Sequence, residues 1–460
     1  MEGTIDKTKE LATGDIRHLL WVYALPAVVS QIIASIYNIA DRMFIGNGIG
    51  PLAIAGLAIT MPVMNIIHAF GSLIGAGSAA RMSIVLGKRD KEWAENILGN
   101  SFIYTFILGG IVMFFGYMFM SSILRKFGAT DDTVSYALEY MRIVMPGMFM
   151  TTLTFNLVGL IRSSGYPVKS MFILAGGAIL NIILDSIFIF VFKTGIGGAA
   201  WATTISMTVS SIAAIIHFVN PKSFIHFRRH AWRLKGYILK NILLIGMSPF
   251  LMNVAAAGVV AILNTQILRY GGDYAVGAYG ISNSFVLLFI LLIVGICMGM
   301  QPIAGYNYGA GLSLRLKEVY KLTMKWNVAI GIVGALIACV FPYYIVRAFT
   351  DDATTIAIAI PCLRMLIVMA PFIAFTITNS NFFQSIDKPW IAIVTSLSRQ
   401  VIFLVPLCYI VPSIITKHGG DGLMGVWASC MISDICGAAL AAILLYSQRK
   451  VFREIETVQN

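Results

Sequence analysis

Two carboxylates interrupt apolar stretches of this chain: Asp41 in SIYNIADRMFIG and Asp185 in LNIILDSIFIF. An ionised side chain at membrane depth costs roughly 3 kcal/mol on insertion scales, so it faces a partner or a water-filled cavity and marks an ion or proton path. Tyr37 stands four residues before Asp41 and Asn181 four before Asp185, so each pair shares a helix face. Asn156 and Thr203 add an amide and a hydroxyl from other apolar segments. Carboxylate, amide and hydroxyl oxygens suit a small hard cation, and the same groups relay a proton. Burial and a second nearby carboxylate both favour a neutral carboxyl group, so a proton can bind and leave at such a place. Ion coupling is therefore expected at Asp41, Asp185, Asn181, Thr203 and Tyr37, with Na+ on Asp41, Asn181, Asp185 and Thr203 as one form of it. The plain alternative is that Asp41 pairs with Arg42 or caps a helix, but adjacent helical residues do not face each other.

The elements that position these groups must be membrane spans. The 460 residues are 58% hydrophobic and only 12% charged, with a mean hydropathy of +0.83. Soluble domains average about 25% charged residues, so this chain cannot cover a water-facing surface of its length. Twelve apolar segments reach the roughly 20 residues a span needs. They fall near 18–45, 52–80, 97–121, 133–161, 168–192, 197–218, 241–268, 274–303, 320–345, 354–383, 389–412 and 423–447. Residues 1–17 mix both charge signs, which argues against a signal peptide. The connections 81–96, 219–240 and 309–321 are basic, as is the tail with Arg449, Lys450 and Arg453. Both termini are expected in the cytoplasm by the positive-inside rule, which also accounts for the net charge of +12 without nucleic acid. The six cysteines lie in apolar stretches of the second half without CxxC spacing, and read as reduced packing residues.

The chain repeats itself. LAIAGLAI (52–59) resembles YAVGAYGI (274–281) at an offset of 222, and at that offset Gly87 falls on Gly309, Arg142 on Arg364 and Pro167 on Pro389. AAWAT (199–203) matches GVWAS (425–429) at 226. Scattered identity at a near-constant offset indicates duplication. The expected organisation is a first lobe over 1–218, a basic linker over 219–240 and a second lobe over 241–460. Each lobe has six helices, so the copies run parallel, related by pseudo-symmetry about an axis normal to the membrane. The positions 222 beyond Asp41 and Asp185 are Leu263 and Leu407, so coupling belongs to the first lobe. Arg399 and Asp434, the main charges deep in the second lobe, are expected to neutralise each other.

Pro26 lies on the same span as Asp41, and its missing N–H makes it a candidate hinge. Gln31, Tyr37, Met64, Asn156 and Met207 are candidates for lining a substrate cavity, Met being adaptable to varied ligands. His68 reads as a packing residue, and His226 and His230 as part of a solvated loop. No P-loop, HExxH or GxSxG motif is present, which argues against an ATP-driven pump or a common hydrolase. Two rivals remain. A lipid-linked oligosaccharide flippase should line its cavity with several cations, and an intramembrane aspartyl protease should carry GxGD.

The run PAVVSQIIASIYNIADRMFIGNGIGPLAIAGLAITMP resembles the opening of the multidrug and toxic compound extrusion (MATE) transporters. RSSGYP, LNIILDSIFIF, GIGGAAWATTIS and PIAGYNYGAG resemble later signatures of that family. The match spans both halves and is most similar to the DinF/MepA-like branch. The resemblance implies a multi-pass protein of the bacterial inner membrane, a monomer without a cofactor or enzyme activity. It implies export of lipophilic, often cationic compounds in antiport with H+ or Na+. In that branch the coupling positions fall on Tyr37, Asp41, Asn181, Asp185 and Thr203, with Asn156 nearby, and the helix-bending proline on Pro26. The NorM branch has acidic residues where this chain has Asn379 and Asn381 in the tenth span, so the resemblance does not carry that coupling mode over.

Overall fold

The computed structural model describes residues 8–128 and 130–452; Arg453 of the basic tail lies outside them. Among the described residues all regular structure is helical. In chain order the first lobe comprises a short α1 (Lys9–Thr13), then α2 (Ile16–Gly48), α3 (Pro51–Gly87), α4 (Lys91–Lys126), α5 (Asp131–Ser163), α6 (Pro167–Ser186) and α7 (Gly195–Val219). The second comprises α8 (Gly236–Gly309), α9 (Ser313–Val340), α10 (Pro342–Arg347), α11 (Ala353–Val368), α12 (Ala370–Ser385), α13 (Pro389–Leu397), α14 (Val405–Lys417) and α15 (Gly422–Ser447). Asp15 and Asp90 start α2 and α4 by accepting from the backbone N–H of His18 and Trp93 at 3.0 and 2.9 Å. The end of α3 and the Asp90-capped start of α4 make the basic connection 81–96 mostly helix.

Three breaks reconcile these elements with the expected spans. Gly272, at φ +70, divides the 74-residue α8 into two crossings. That left-handed geometry favours glycine. The bent pair α11 and α12 forms one crossing with a 43° bend, where Pro371 in the first turn of α12 supplies no N–H. A π-helical stretch, Ser398–Leu404, joins α13 and α14 into one crossing. The result is twelve spans in two six-helix lobes.

The lobes meet closely where α8 crosses α3 and α2. Gly246 and Gly309 on α8 lie so close to α3 that an added methyl would overlap the carbonyls of Leu73 and Ile84. Gly295 and Gly299 meet the backbone of α2 at Val28 and Ala24. Small residues let membrane helices approach this way. Toward the Gly272 break, Gly258, Gly277 and Gly280 have no neighbour within 4 Å of such a methyl. The closed end carries the basic connections.

Polar links reinforce that end. Arg81 Nη1 pairs with Asp387 Oδ2 at 2.7 Å, joining α3 to the turn before α13. Arg315 of α9 donates from Nη2 to the carbonyls of Gly14 at 2.6 Å and Leu11 at 3.2 Å, and Asn307 also donates to Leu11 O at 3.2 Å. The first helix of one lobe is thus held by the other. Hydrogen bonds from a charged donor are worth roughly 1.5–3 kcal/mol each. Arg315→Ala is therefore expected to accelerate amide hydrogen exchange over residues 9–14 by at least about tenfold. Unchanged exchange there would show that α1 is held by its apolar contacts.

The polar stretch 219–240 departs from the expected solvated loop. Phe227 stacks on Trp232 at 5.3 Å and meets Phe218 and Phe102. Asn100 of α4 donates to the carbonyls of Ala231 and Arg233 and accepts from Lys235 N at 2.8 Å. His226 is buried, its ring against Ser223 O at 3.1 Å, whereas His230 is exposed and lies 3.4 Å from Glu95. Aromatic packing outweighs the solvation of the intervening charges.

Candidate functional site

The helices that carry the acidic residues are drawn together by small side chains. Gly177 on α6 sits against Ser210 of α7, and Gly147 on α5 against Thr204 of α7. This close packing brings Asn181, Asp185, Thr203 and Tyr140 into one buried cluster, all at most 5% exposed. A π-helical turn, Ile187–Val191, begins two residues after Asp185; such turns recur at functional sites. From α2, Asp41 reaches the same cluster, and its carboxyl makes a hydrogen-bonding contact with that of Asp185.

The polar connections run outward from that pair. In one amide orientation Asn181 Nδ2 donates to Thr203 Oγ1 at 3.2 Å. Turned over, the nitrogen donates to Asp185 Oδ2 at 3.1 Å and the oxygen accepts from Thr203 Oγ1 at 3.2 Å, which satisfies both neighbours. The first orientation aims the amide oxygen at the carboxylates, as a cation between them requires. The Tyr140 hydroxyl lies near Thr203 and the two carboxylates. Oδ1 of Asp41 and Oδ1 of Asp185 are buried without a hydrogen-bond partner. Two bare carboxylates in contact repel strongly, and a proton on one or a cation between them removes that repulsion.

Tyr37, one turn before Asp41, also borders a cavity of about 620 Å³ between α2, α3, α5, α6 and α7, with Leu287 of the second lobe at its edge. Gln31 and Met207 line it as expected. Met64 and Asn156 do not. Met64 packs in the apolar cluster between α3 and α5, with Thr60 Oγ1 donating to its sulfur at 3.6 Å. Asn156 is wholly buried, accepting from Ser78 Oγ at 2.6 Å and donating to Thr105 Oγ1 at 3.1 Å, which ties α3, α4 and α5 together. His68 packs edge-on against Phe155 at 5.9 Å and also borders the cavity.

Sequence reading missed Tyr140, Asn38 and Asn65, and weighed Arg42 only as a partner of Asp41 or a flippase-type cation. Depth was the available signal for Tyr140. It lies nine residues into α5 and Asp41 lies seven from the end of α2, roughly 10–14 Å from the same end at 1.5 Å per residue. In the second lobe, Arg399 Nη1 lies 3.3 Å from Asp434 Oδ1, the expected neutral pair. Asn379 accepts from Tyr320 at 3.0 Å and Asn381 from Gln301 at 3.1 Å.

A family profile described as MatE matches residues 26–187 and 245–410, one stretch in each lobe. The chain belongs to the MatE family. It is similar to the multidrug export protein MepA of Staphylococcus saprophyticus, 27% identical over 424 residues and 92% of each chain. It is also similar to MepA of Staphylococcus aureus, 26% identical over 424 residues and 92% of each. An outward-facing structure of a multidrug resistance MATE transporter of the MOP superfamily superposes with a TM-score of 0.89 at 26% identity, over 98% of this chain and 99% of that one. A MATE structure in the bent conformation superposes at 0.91 and 24% identity over 99% of each chain, a likeness of fold. This MATE-family protein is thus an integral, multi-pass membrane transporter and not an enzyme, and the aspartyl protease alternative falls away.

Proposed function

We propose that the protein is a secondary antiporter that expels lipophilic compounds, cationic ones among them, in exchange for H+ or Na+. One observation carries this reading: the Asp41 and Asp185 carboxyls touch, each keeps a buried oxygen without a donor, and Tyr37 joins that pair to the large cavity. Two charges on the pair are costly unless a cation is shared. Ion occupancy therefore changes the field and the packing beside the substrate.

In the cycle we propose, the basic end faces the cytoplasm with both termini, in a bacterial inner membrane, and the protein works as a monomer without a cofactor. Substrate enters with the pair charged. A proton or Na+ arriving from outside neutralises the pair, α2 bends at Pro26, and the cavity releases its load outward. Export requires that substrate bind the two states with different affinity. The 1–218 and 241–460 lobes would rock about the 219–240 segment. A flippase for lipid-linked sugars is the weaker reading, since Arg42 is the one charged side chain among the described residues lining the cavity.

The test is uptake of a fluorescent lipophilic cation into proteoliposomes with an imposed proton gradient, then a sodium gradient. Uptake under one gradient and not the other names the ion. Failure under both, with lipid-linked sugar translocated instead, would replace the antiport reading by the flippase one.

A further inference from the structure

Arg42 follows Asp41 on α2 but points to a different side, as adjacent helical residues must. Its side chain is exposed inside the large cavity, and Nη2 donates to the Met61 sulfur at 3.1 Å. A thioether is a weak acceptor and carries no charge. None of the ion pairs among the described residues involves Arg42. Asp41 and Asp185 are absent from the cavity lining, whereas Tyr37 borders it. Among the described residues Arg42 is therefore the one charged side chain that a compound in the cavity touches. Met61, Phe155, Leu174, Met207 and Leu287 supply an apolar wall around that charge.

A guanidinium stays charged at any physiological pH and presents a rigid fork of donors that matches a carboxylate, a sulfonate or a phosphate. Here most of that fork is unused. We propose that Arg42 is the anchor for an acidic group on the transported compound, so that the cavity takes amphiphiles bearing one carboxylate or similar anion, zwitterions included. The proposal rests on the export reading and names its substrate class.

The test compares equilibrium binding of Nε-dansyl-lysine, which has a free carboxylate and amine, with that of its methyl ester, which has only the amine. Dansyl fluorescence is followed with purified protein in nanodiscs and no gradient. Wild type should bind the acid about tenfold tighter than the ester. Arg42→Gln should lose that preference while keeping its affinity for the ester, and Arg42→Lys should keep part of it. The anchor is overturned if wild type binds the ester as tightly as the acid, if it shows no saturable binding of the acid, or if the preference survives in Arg42→Gln. Gradient-driven uptake of both compounds is then measured in proteoliposomes. Transport without an acid preference leaves the export reading standing and removes the anchor. An acid preference without transport under either gradient does the reverse.

Discussion

An Asp185→Asn protein should bind its substrate and fail to pump it. Asparagine has the shape of aspartic acid but needs no cation. At position 185 it would keep hydrogen-bonding neighbours in Asn181 and Asp41, and the cluster would lose the charge repulsion that a bound ion relieves. The coupling free energy between ion and substrate, typically about 1–3 kcal/mol in linked sites, would be lost. Gradient-driven uptake into proteoliposomes should fall by at least about tenfold, while dye binding and the melting temperature stay near those of wild type. Asp41→Asn should act in the same direction but less completely. It leaves the fully buried Asp185 carboxylate, which can still take an ion, whereas Asp41 itself is only partly buried. Wild-type pumping by both variants would move coupling elsewhere, and the buried Arg399–Asp434 pair would be the next place to look.

How much of this was legible before folding depends on what each residue type betrays. A charge inside an apolar run announces itself, because only function or pairing justifies its cost. Asp41, Asp185, Arg399 and Asp434 were legible for that reason. Asn181 followed from helical spacing. Tyr140 did not, because a phenol in a membrane span is equally a packing residue until its partner is known, and Thr203 lies 63 positions away. Asn156 misled for the converse reason: an amide in a span reads as a ligand, but here its hydrogen-bonding ends meet hydroxyls on two other helices. Arg42 was visible as a residue but not as a direction.

The duplication shows the same boundary. Thr203 matches Ser429, and Asp185 matches Leu407, at offsets of 226 and 222. The hydroxyl of Ser429 donates to the backbone carbonyl of Leu407 at 2.9 Å. The helices that bring Thr203 toward the Asp185 cluster in the first lobe thus bring Ser429 to Leu407 in the second. The two lobes share this packing but only the first carries the carboxylate. Sequence identified which lobe keeps the acid, and the structure shows that the other lobe satisfies its hydroxyl locally.

Gly246→Val should open the basic end. A Cβ at Gly246 would overlap the backbone of Leu73, which cannot rotate aside as a side chain would. Overpacking of this kind costs roughly 1–3 kcal/mol, all of it charged to the state in which α3 and α8 touch. The ratio of closed to open forms at that end should therefore move by about 5- to 150-fold. The check is a spin-label distance between positions 88 and 314, at the basic ends of α3 and α9, in a background without native cysteines. Wild type should give one short distance and Gly246→Val a second, longer one, with gradient-driven export reduced in step. Gly258→Val is the control, since a methyl there meets nothing within 4 Å, and it should leave both readouts unchanged. The comparison separates the glycine seam from a general effect of a larger residue on α8. An unaltered distance in Gly246→Val would mean that the Arg81–Asp387 pair and the Arg315 clasp hold the end closed without it.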